Sequence, residues 1–427
     1  MHNPVLAKSA PEIAREWLTI DAATVIVPSV TLASHTDAVE SAVFSPDGTR
    51  VVTASSDSTA KIWNATTGDL LRALAGHTGS VRSAVFSPDG TKVVTASDDR
   101  TAKIWNATTG ALLHTLAGHT NAVFSAVFSP DGTKVVTASS DNTAKIWNAT
   151  TGALLHTLAG HTGAAFSPDG TRVVTASWDR TAKIWDATTG ALLHTLVGHG
   201  DWVNSAVFSP DGTTVVTASW DRTAKIWNAT TGALLRTLAG HTNVVLSAVF
   251  SPDGTKVVTA SLDRTAKIWN ATTGALLHTL VGHNSGVYSA AFSPDGTTVV
   301  TASSDSTAKI WNATTGALLR TLAGHADFVR RAVFSPDGTK VVTASRDGTA
   351  KIWQVKTPAF IVGDYFKHQS LPLWQQSLLV TLDTAYKKSL MVTAQDLEQG
   401  AVTVKQSLNR LPKDVRNALV ELYDIRL

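Results

Sequence analysis

The sequence predicts an all-β protein: an eight-bladed β-propeller of four-stranded antiparallel blades, with a small α-helical C-terminal extension. Three observations carry this. A unit resembling Ser83–Thr120, SAVFSPDGTKVVTASDDRTAKIWNATTGALLHTLAGHT, recurs from near the N-terminus to Trp353, with its tryptophans 42 residues apart except for 38 between Trp147 and Trp185. Such a period implies modules that bury their faces only against neighbours. Each unit also holds four short β-branched or alternating runs between turn signals, which reads as a meander. Finally, a ring of such meanders leaves only short, protected sheet edges.

Within a unit, SAVFS ends at Ser-Pro-Asp-Gly, where Pro presets the second turn position and Gly suits the fourth. KVVTAS runs into Asp-Arg-Thr, a second tight turn, and TAKIW is closed by Asn-Ala-Thr-Thr-Gly. ALLHTL then leads to Gly-His. These runs are strands a, b, c and d.

A His, an Asp and a Trp six residues after the Asp recur in every unit, and this constellation resembles the WD-repeat propeller family. The sets are His35/Asp57/Trp63, His77/Asp99/Trp105, His119/Asp141/Trp147, His161/Asp179/Trp185, His199/Asp221/Trp227, His241/Asp263/Trp269, His283/Asp305/Trp311 and His325/Asp347/Trp353. The likeness covers residues 24–353. Asp follows the Trp only at Asp186, with Asn or Gln354 elsewhere, and Ser34 replaces the first Gly of Gly-His. In that family His, a strand-b hydroxyl, Asp and Trp form a buried hydrogen-bonded tetrad. Hairpin register offers Thr53 for the hydroxyl in the first unit, and Ser55 is the other candidate.

The ends and the fourth unit depart from the repeat. Residues 1–23 form an N-terminal segment, and Pro11 starts a short helix to Ile20. AATVIVPSVTLASH aligns with NATTGALLHTLAGH, so Val25–Leu32 is expected as the outer strand of the last blade, closing the propeller of residues 24–353. The fourth unit has lost four residues before its first turn. An even deletion preserves in/out alternation, so a shortened inner strand is expected. Residues 354–427 form a linker and tail. Lys356–Phe366 is a rival closing strand, and Leu371, Trp374, Leu378, Leu382, Tyr386 and Leu390 recur at mostly helical spacing. Thr393 with Asp396 and Pro412 mark further helix starts.

A formal charge of +3 over 427 residues, with no basic run, does not suggest nucleic acid as a target. The absence of an 18-residue apolar run or a signal peptide points to neither membrane nor export, so a cytoplasmic monomer is expected. Cysteine is absent.

Every unit contains the ingredients of a nucleophilic triad, yet an enzyme needs one activated site and eight equivalents argue for architecture. The histidines stand one per blade with no second ligand at metal spacing, so neither metal nor cofactor is expected. His114, His156, His194 and His278 share their position with Arg72, Arg236 and Arg320, as solvated residues do.

The units disagree at few positions. Three residues after the His stand Ala38, Ser80, Ala122, Trp202, Val244, Gly286 and Phe328; five after it stand Glu40, Arg82, Phe124, Asn204, Leu246, Tyr288 and Arg330. Just before the Asp stand Ser56, Asp98, Ser140, Trp178, Trp220, Leu262, Ser304 and Arg346. Meander topology puts all of them at the d–a and b–c end of the blades, while the a–b and c–d turns stay uniform. In the WD-repeat family this is the face around the channel mouth where partners bind. The resemblance therefore implies a non-catalytic recognition module for a protein or peptide. Its contact set is Arg82, Phe124, Trp178, Trp202, Trp220, Leu246, Leu262, Tyr288, Phe328, Arg330 and Arg346. A ligand- or glycan-sensing propeller, or the sensor piece of a larger signalling protein, is the alternative.

Overall fold

Eight blades, each built on four antiparallel strands, are arranged in a ring. The structure, a computed structural model, describes residues 24–26, 28–159 and 163–355. The expected helix over Pro11–Ile20, the strand over Lys356–Phe366, the helical C-terminal extension and His161 lie outside the described residues.

Blade 1 shows the plan: strand a is Val39–Phe44, b Arg50–Ser55, c Thr59–Asn64 and d Leu70–Ala75. Strand a is innermost. The a strands of successive blades touch one another around the ring, and that of blade 8 (Val329–Phe334) returns to that of blade 1. Each Ser-Pro-Asp-Gly turn closes with a Gly N–H to Ser carbonyl bond, 2.8 Å between Gly48 and Ser45. The Ser hydroxyl donates to the turn Asp, as Ser87 does to Asp89 at 2.5 Å. That bond, followed by the Thr91 N–H, holds the Asp89 carboxyl at about 2.

The core lies between blades. Val52, Ala54, Ala60, Ile62 and Leu74 of blade 1 pack against Val81, Phe86, Val93 and Trp105 of blade 2. The strand-c Trp is the largest side chain in each interface, and all eight are at most 7% exposed. Glycine before the His gives this ring its room: a Cβ on Gly118 would stand 3.3 Å from the Trp147 ring.

The sequence assigns each of these tryptophans to the polar tetrad of its own blade, and the structure enlarges that role. Trp227 is buried against Val174 and Leu196 of blade 4, Trp269 against Val216 and Leu238 of blade 5, and Trp311 against Val258 and Leu280 of blade 6. Each indole therefore belongs to two blades: its N–H serves its own, and its rings fill the interface with the blade before. The large apolar area of the ring is the reason, since only a neighbouring sheet can cover it.

Closure follows the N-terminal segment, with one correction. Val30–Leu32 pairs antiparallel with Ala350–Gln354, supplying strand d of blade 8. Leu32 is fully buried with Val39, Trp63 and Val342, across the junction of blades 8 and 1. The rest of the expected strand does not continue along blade 8. Thr24–Ile26 instead runs parallel to strand d of blade 7, Leu318–Ala323, as a fifth strand. Pro28 explains the break, because it has no N–H to give a ladder and its φ is fixed. Blade 4 survives its deletion with a four-residue strand a, Gly163–Phe166, whose Phe166↔Val173 pairing matches Phe208↔Val215 of blade 5.

Candidate functional site

Two polar systems occupy the d–a and b–c end. The first lies inside each blade. Thr53 sits opposite Lys61, so its hydroxyl meets the indole of Trp63 diagonally on the same sheet face. Trp63 Nε1 donates to Thr53 Oγ1 at 2.8 Å, His35 Nε2 lies 2.8 Å from that hydroxyl, and His35 Nδ1 lies 2.7 Å from Asp57 Oδ2. With Asp57 accepting from Nδ1, the chain runs Trp N–H to Thr, Thr O–H to His, His N–H to Asp. Six further blades repeat it, with His–Asp distances of 2.6–2.8 Å. In those blades Trp105, Trp147, Trp227, Trp269, Trp311 and Trp353 donate to the strand-b Thr at 2.8–2.9 Å. In blade 4 Trp185 donates to Thr175 at 2.8 Å.

Ser55 has a different role: it accepts the Asp57 N–H and donates to the Asp37 carbonyl, both at 3.1 Å. A fifth member was not foreseen. Thr59 donates to Asp57 Oδ1 at 2.6 Å, and the Thr two residues after each Asp does the same. The signal was present as Asp-x-Thr in every unit. Burial alone would raise the Asp57 carboxyl, but the bonds from Thr59 and His35 outweigh it and hold it at about 2. Burial lowers His35 against the opposing pull of Asp57.

The second system is the outward surface. Within seven blades two of the three variable positions are joined by a backbone hydrogen bond, as from Trp220 N–H to the Trp202 carbonyl at 2.9 Å. These two positions are thus held side by side in each such blade. The side chains form a band with two chemistries. Phe124, Trp178, Trp202 and Trp220, on blades 3 to 5, make successive ring contacts at 6.4, 5.4 and 5.0 Å between centroids. The three tryptophans remain 41, 39 and 40% exposed. Asn204 Nδ2 then donates to the Leu246 carbonyl at 2.6 Å, joining blade 5 to blade 6, and Leu262 packs over Gly286, where a Cβ would lie 2.7 Å away. Across the ring the band is ionic. Arg346 lies over Phe328 at 5.5 Å and Arg330 over Tyr288 at 5.8 Å. Glu40 stands 3.8 Å from both Arg330 and Arg82, and Arg82 forks onto Asp98 at 2.9 and 2.5 Å.

Blade 4 interrupts this band. Its shortened connection leaves the Ser177 carbonyl to the Val203 N–H of blade 5, at 2.9 Å. The Asp179 side chain is 45% exposed, against 5–13% for the equivalent Asp of the other seven blades. Trp178 leans across this notch onto Trp202.

The sequence profile of the WD domain, G-beta repeat (WD40), matches residues 26–64, 68–106, 110–148, 152–186, 190–228, 232–270, 274–312 and 316–354. The chain belongs to the WD40 family. No curated protein sequence matches it. Among solved structures, the crystal structure of the computationally designed Ika8 protein is similar at 35% identity and TM-score 0.69, covering 77% of this chain and 99% of that one. The C-terminal WD40 domain of Sif2 shares the fold at 20% identity and TM-score 0.71, covering 78% and 99%.

Members of the WD40 family generally serve as protein-interaction scaffolds. The tetrads of this WD40 propeller copy the donor order of a hydrolytic triad but not its access. Thr53 is fully buried and its hydroxyl already bonds both His35 and Trp63, leaving no path for an acyl group. Among the described residues no cluster of three or more His, Cys, Asp or Glu could hold a metal, and no helix is long and apolar enough to cross a membrane. One further feature of the WD40 blades was not expected from the sequence. The residue after the tetrad Asp is left-handed: Arg100, Arg180, Arg222 and Arg264 hold φ of 70–73°, whereas Gly348 fills the position in blade 8. These arginines are exposed on the varied face, two residues beyond Asp98, Trp178, Trp220 and Leu262.

Proposed function

We propose that this WD40 propeller is a non-catalytic scaffold that binds a protein or peptide through its d–a and b–c face. Phe124, Trp178, Trp202 and Trp220 are the anchors. Leu246, Leu262, Tyr288 and Phe328 extend the contact, and Arg82, Arg330 and Arg346 border it. The carrying observation is the contiguous aromatic band across three consecutive blades, with each Trp about two-fifths exposed. Clustered aromatics bordered by arginine are what interface centres contain. A net charge of +3 gives no reason to prefer nucleic acid or an anionic membrane.

A glycan-sensing role is the competing reading, and the ring geometry weighs against it. A sugar stacks on a free aromatic face, whereas Trp202 lies between Trp178, at 27° to its plane, and Trp220, at 52°. The stacked Trp178–Trp202 pair spends one face of each ring on the other, which leaves fewer free faces for a sugar. Equilibrium binding to a glycan panel separates the two.

The direct test compares wild type with a W178A/W202A/W220A variant against a partner captured by cross-linking and then purified. Losing one true anchor costs about 2 kcal/mol or more, roughly a thirtyfold loss of affinity. The expected outcome is loss of binding at unchanged melting temperature, since none of the three belongs to an inter-blade core. Full affinity in the triple variant contradicts the reading.

A further inference from the structure

The inner strand of blade 8 carries a substitution unlike any other in the ring. Position 331 pairs with Ala344, and the equivalent pairs in other blades are Ser41↔Ala54, Ser83↔Ala96, Ser125↔Ala138, Gly163↔Ala176, Ser205↔Ala218, Ser247↔Ala260 and Ser289↔Ala302. Six blades place serine there, blade 4 places glycine, and blade 8 places Arg331. The serines sit between neighbouring inner strands. Ser41 Oγ accepts the Ala84 N–H and Ser289 Oγ the Ala332 N–H, each at 3.3 Å. A guanidinium on a long stem cannot fit that slot.

Arg331 is exposed to water although it lies on the innermost strand. Protein nevertheless surrounds it closely enough that desolvation depresses its pKa. Both hold for a side chain standing in the central opening of the ring, just inside the varied face. Among the described residues it has no hydrogen-bond or ion-pair partner. Glu40 of the adjoining blade 1 is already committed to Arg82, Arg330 and the Ser56 hydroxyl. The Nε of Arg330, one residue away, is buried and also lacks a hydrogen-bond partner.

We propose that Arg331 makes the mouth of the central channel a binding site for an oxyanion, a carboxylate or a phosphate group. The guanidinium presents two parallel N–H donors that match such a group in a fork. The enclosed position raises the value of that match and discourages leaving the cation bare. This site is independent of the aromatic band: it lies on strand a, inside the ring, and uses none of the tryptophans.

Serine is the residue six other blades tolerate here, so Arg331→Ser is expected to fold. Full-length wild type and R331S are titrated with sodium phosphate and, separately, with sodium acetate, against sodium chloride at matched ionic strength. The readouts are melting temperature and calorimetric binding. The proposal expects R331S to melt higher than wild type in chloride, because an uncompensated cation has gone. It also expects wild type alone to gain stability saturably with the oxyanion, with affinity in R331S reduced tenfold or more. The phosphate and acetate arms show which group is preferred. An R346S control, altering an arginine on the face, should respond as wild type does. Identical titrations for wild type and R331S, or a response abolished equally in R346S, would overturn the assignment. Because the W178A/W202A/W220A variant retains Arg331, it should bind the anion normally, which separates failure here from failure of the recognition reading.

Discussion

Thr53 is the residue on which a blade's polar interior turns, and spacing alone could not select it. Thr53 and Ser55 are two apart and so share a sheet face. Only the pairing Thr53↔Lys61 puts the threonine, not the serine, within reach of Trp63. The His, Asp and Trp were legible because they recur at fixed intervals; the fifth member, Thr59, was visible only as part of a turn. The titration of these groups gives a prediction. His35, His77, His119 and His283 are lowered by burial below 6.5, so the unfolded chain takes up protons below that pH that the folded chain refuses. Stability therefore falls as pH drops through 6.5, by up to about 1.4 kcal/mol per pH unit for each proton of difference. Asp57 and Asp141, held at about 2 against an ordinary 3.8, contribute fully above pH 4 and lose that contribution as pH falls toward 2. Urea midpoints measured from pH 8 to 3 should be flat above 7, decline below 6.5 and decline again below 4. A midpoint that rises on acidification contradicts the assignment.

Among elements, the N-terminal segment shows how a good alignment misplaces a strand. Its likeness to NATTGALLHTL was real for Val30–Leu32, which does occupy the strand-d slot of blade 8. The alignment said nothing about Pro28, which ends that ladder and sends Thr24–Ile26 to blade 7. In that blade Leu318 and Leu319 are only partly exposed, whereas the equivalent leucines of blades 1 to 6 are 36–49% exposed. The two short strands should therefore be separable by truncation. Removing residues 1–29 should leave a closed, monomeric ring with a small loss of melting temperature. Removing 1–34 should take away Leu32, whose full burial is worth about 2 kcal/mol or more, and open the edge of blade 8 to association. Light scattering and melting curves distinguish the two. Equal behaviour of both truncations means that Val30–Leu32 does not hold the ring.

At the scale of the whole molecule, stability is close to a sum over blades and their interfaces. Most interfaces use near-identical residues, so the weakest blade sets where the ring opens. Blade 4 is that blade by three measures: a four-residue strand a, a half-exposed Asp179 and Trp185 at 7% exposure against at most 2% elsewhere. Hydrogen exchange should find the amides of Thr175 and Ala176 less protected than Thr217 and Ala218 of blade 5. Replacing residues 161–166 by the longer His119–Phe128 segment should restore protection and raise the melting temperature. Uniform exchange around the ring would refute this. The deletion was legible as four missing residues, and parity predicted the surviving register. Its cost was not legible, because the sequence does not say that the Ser177 carbonyl turns to the Val203 N–H of the next blade.

Near-identity of the units has a consequence for heredity as well as for packing. Each interface accepts the same two surfaces, so a unit copied or lost in register needs no new contact with its neighbours. Recombination between such repeats can lengthen or shorten the gene in whole units. The check is geometric: the three residues of Val30–Leu32 must still meet Ala350–Gln354 when the last unit comes round. An array one unit longer or shorter must still close at that single seam. The N-terminal strand is thus the point at which a repeat free to multiply has its count tested.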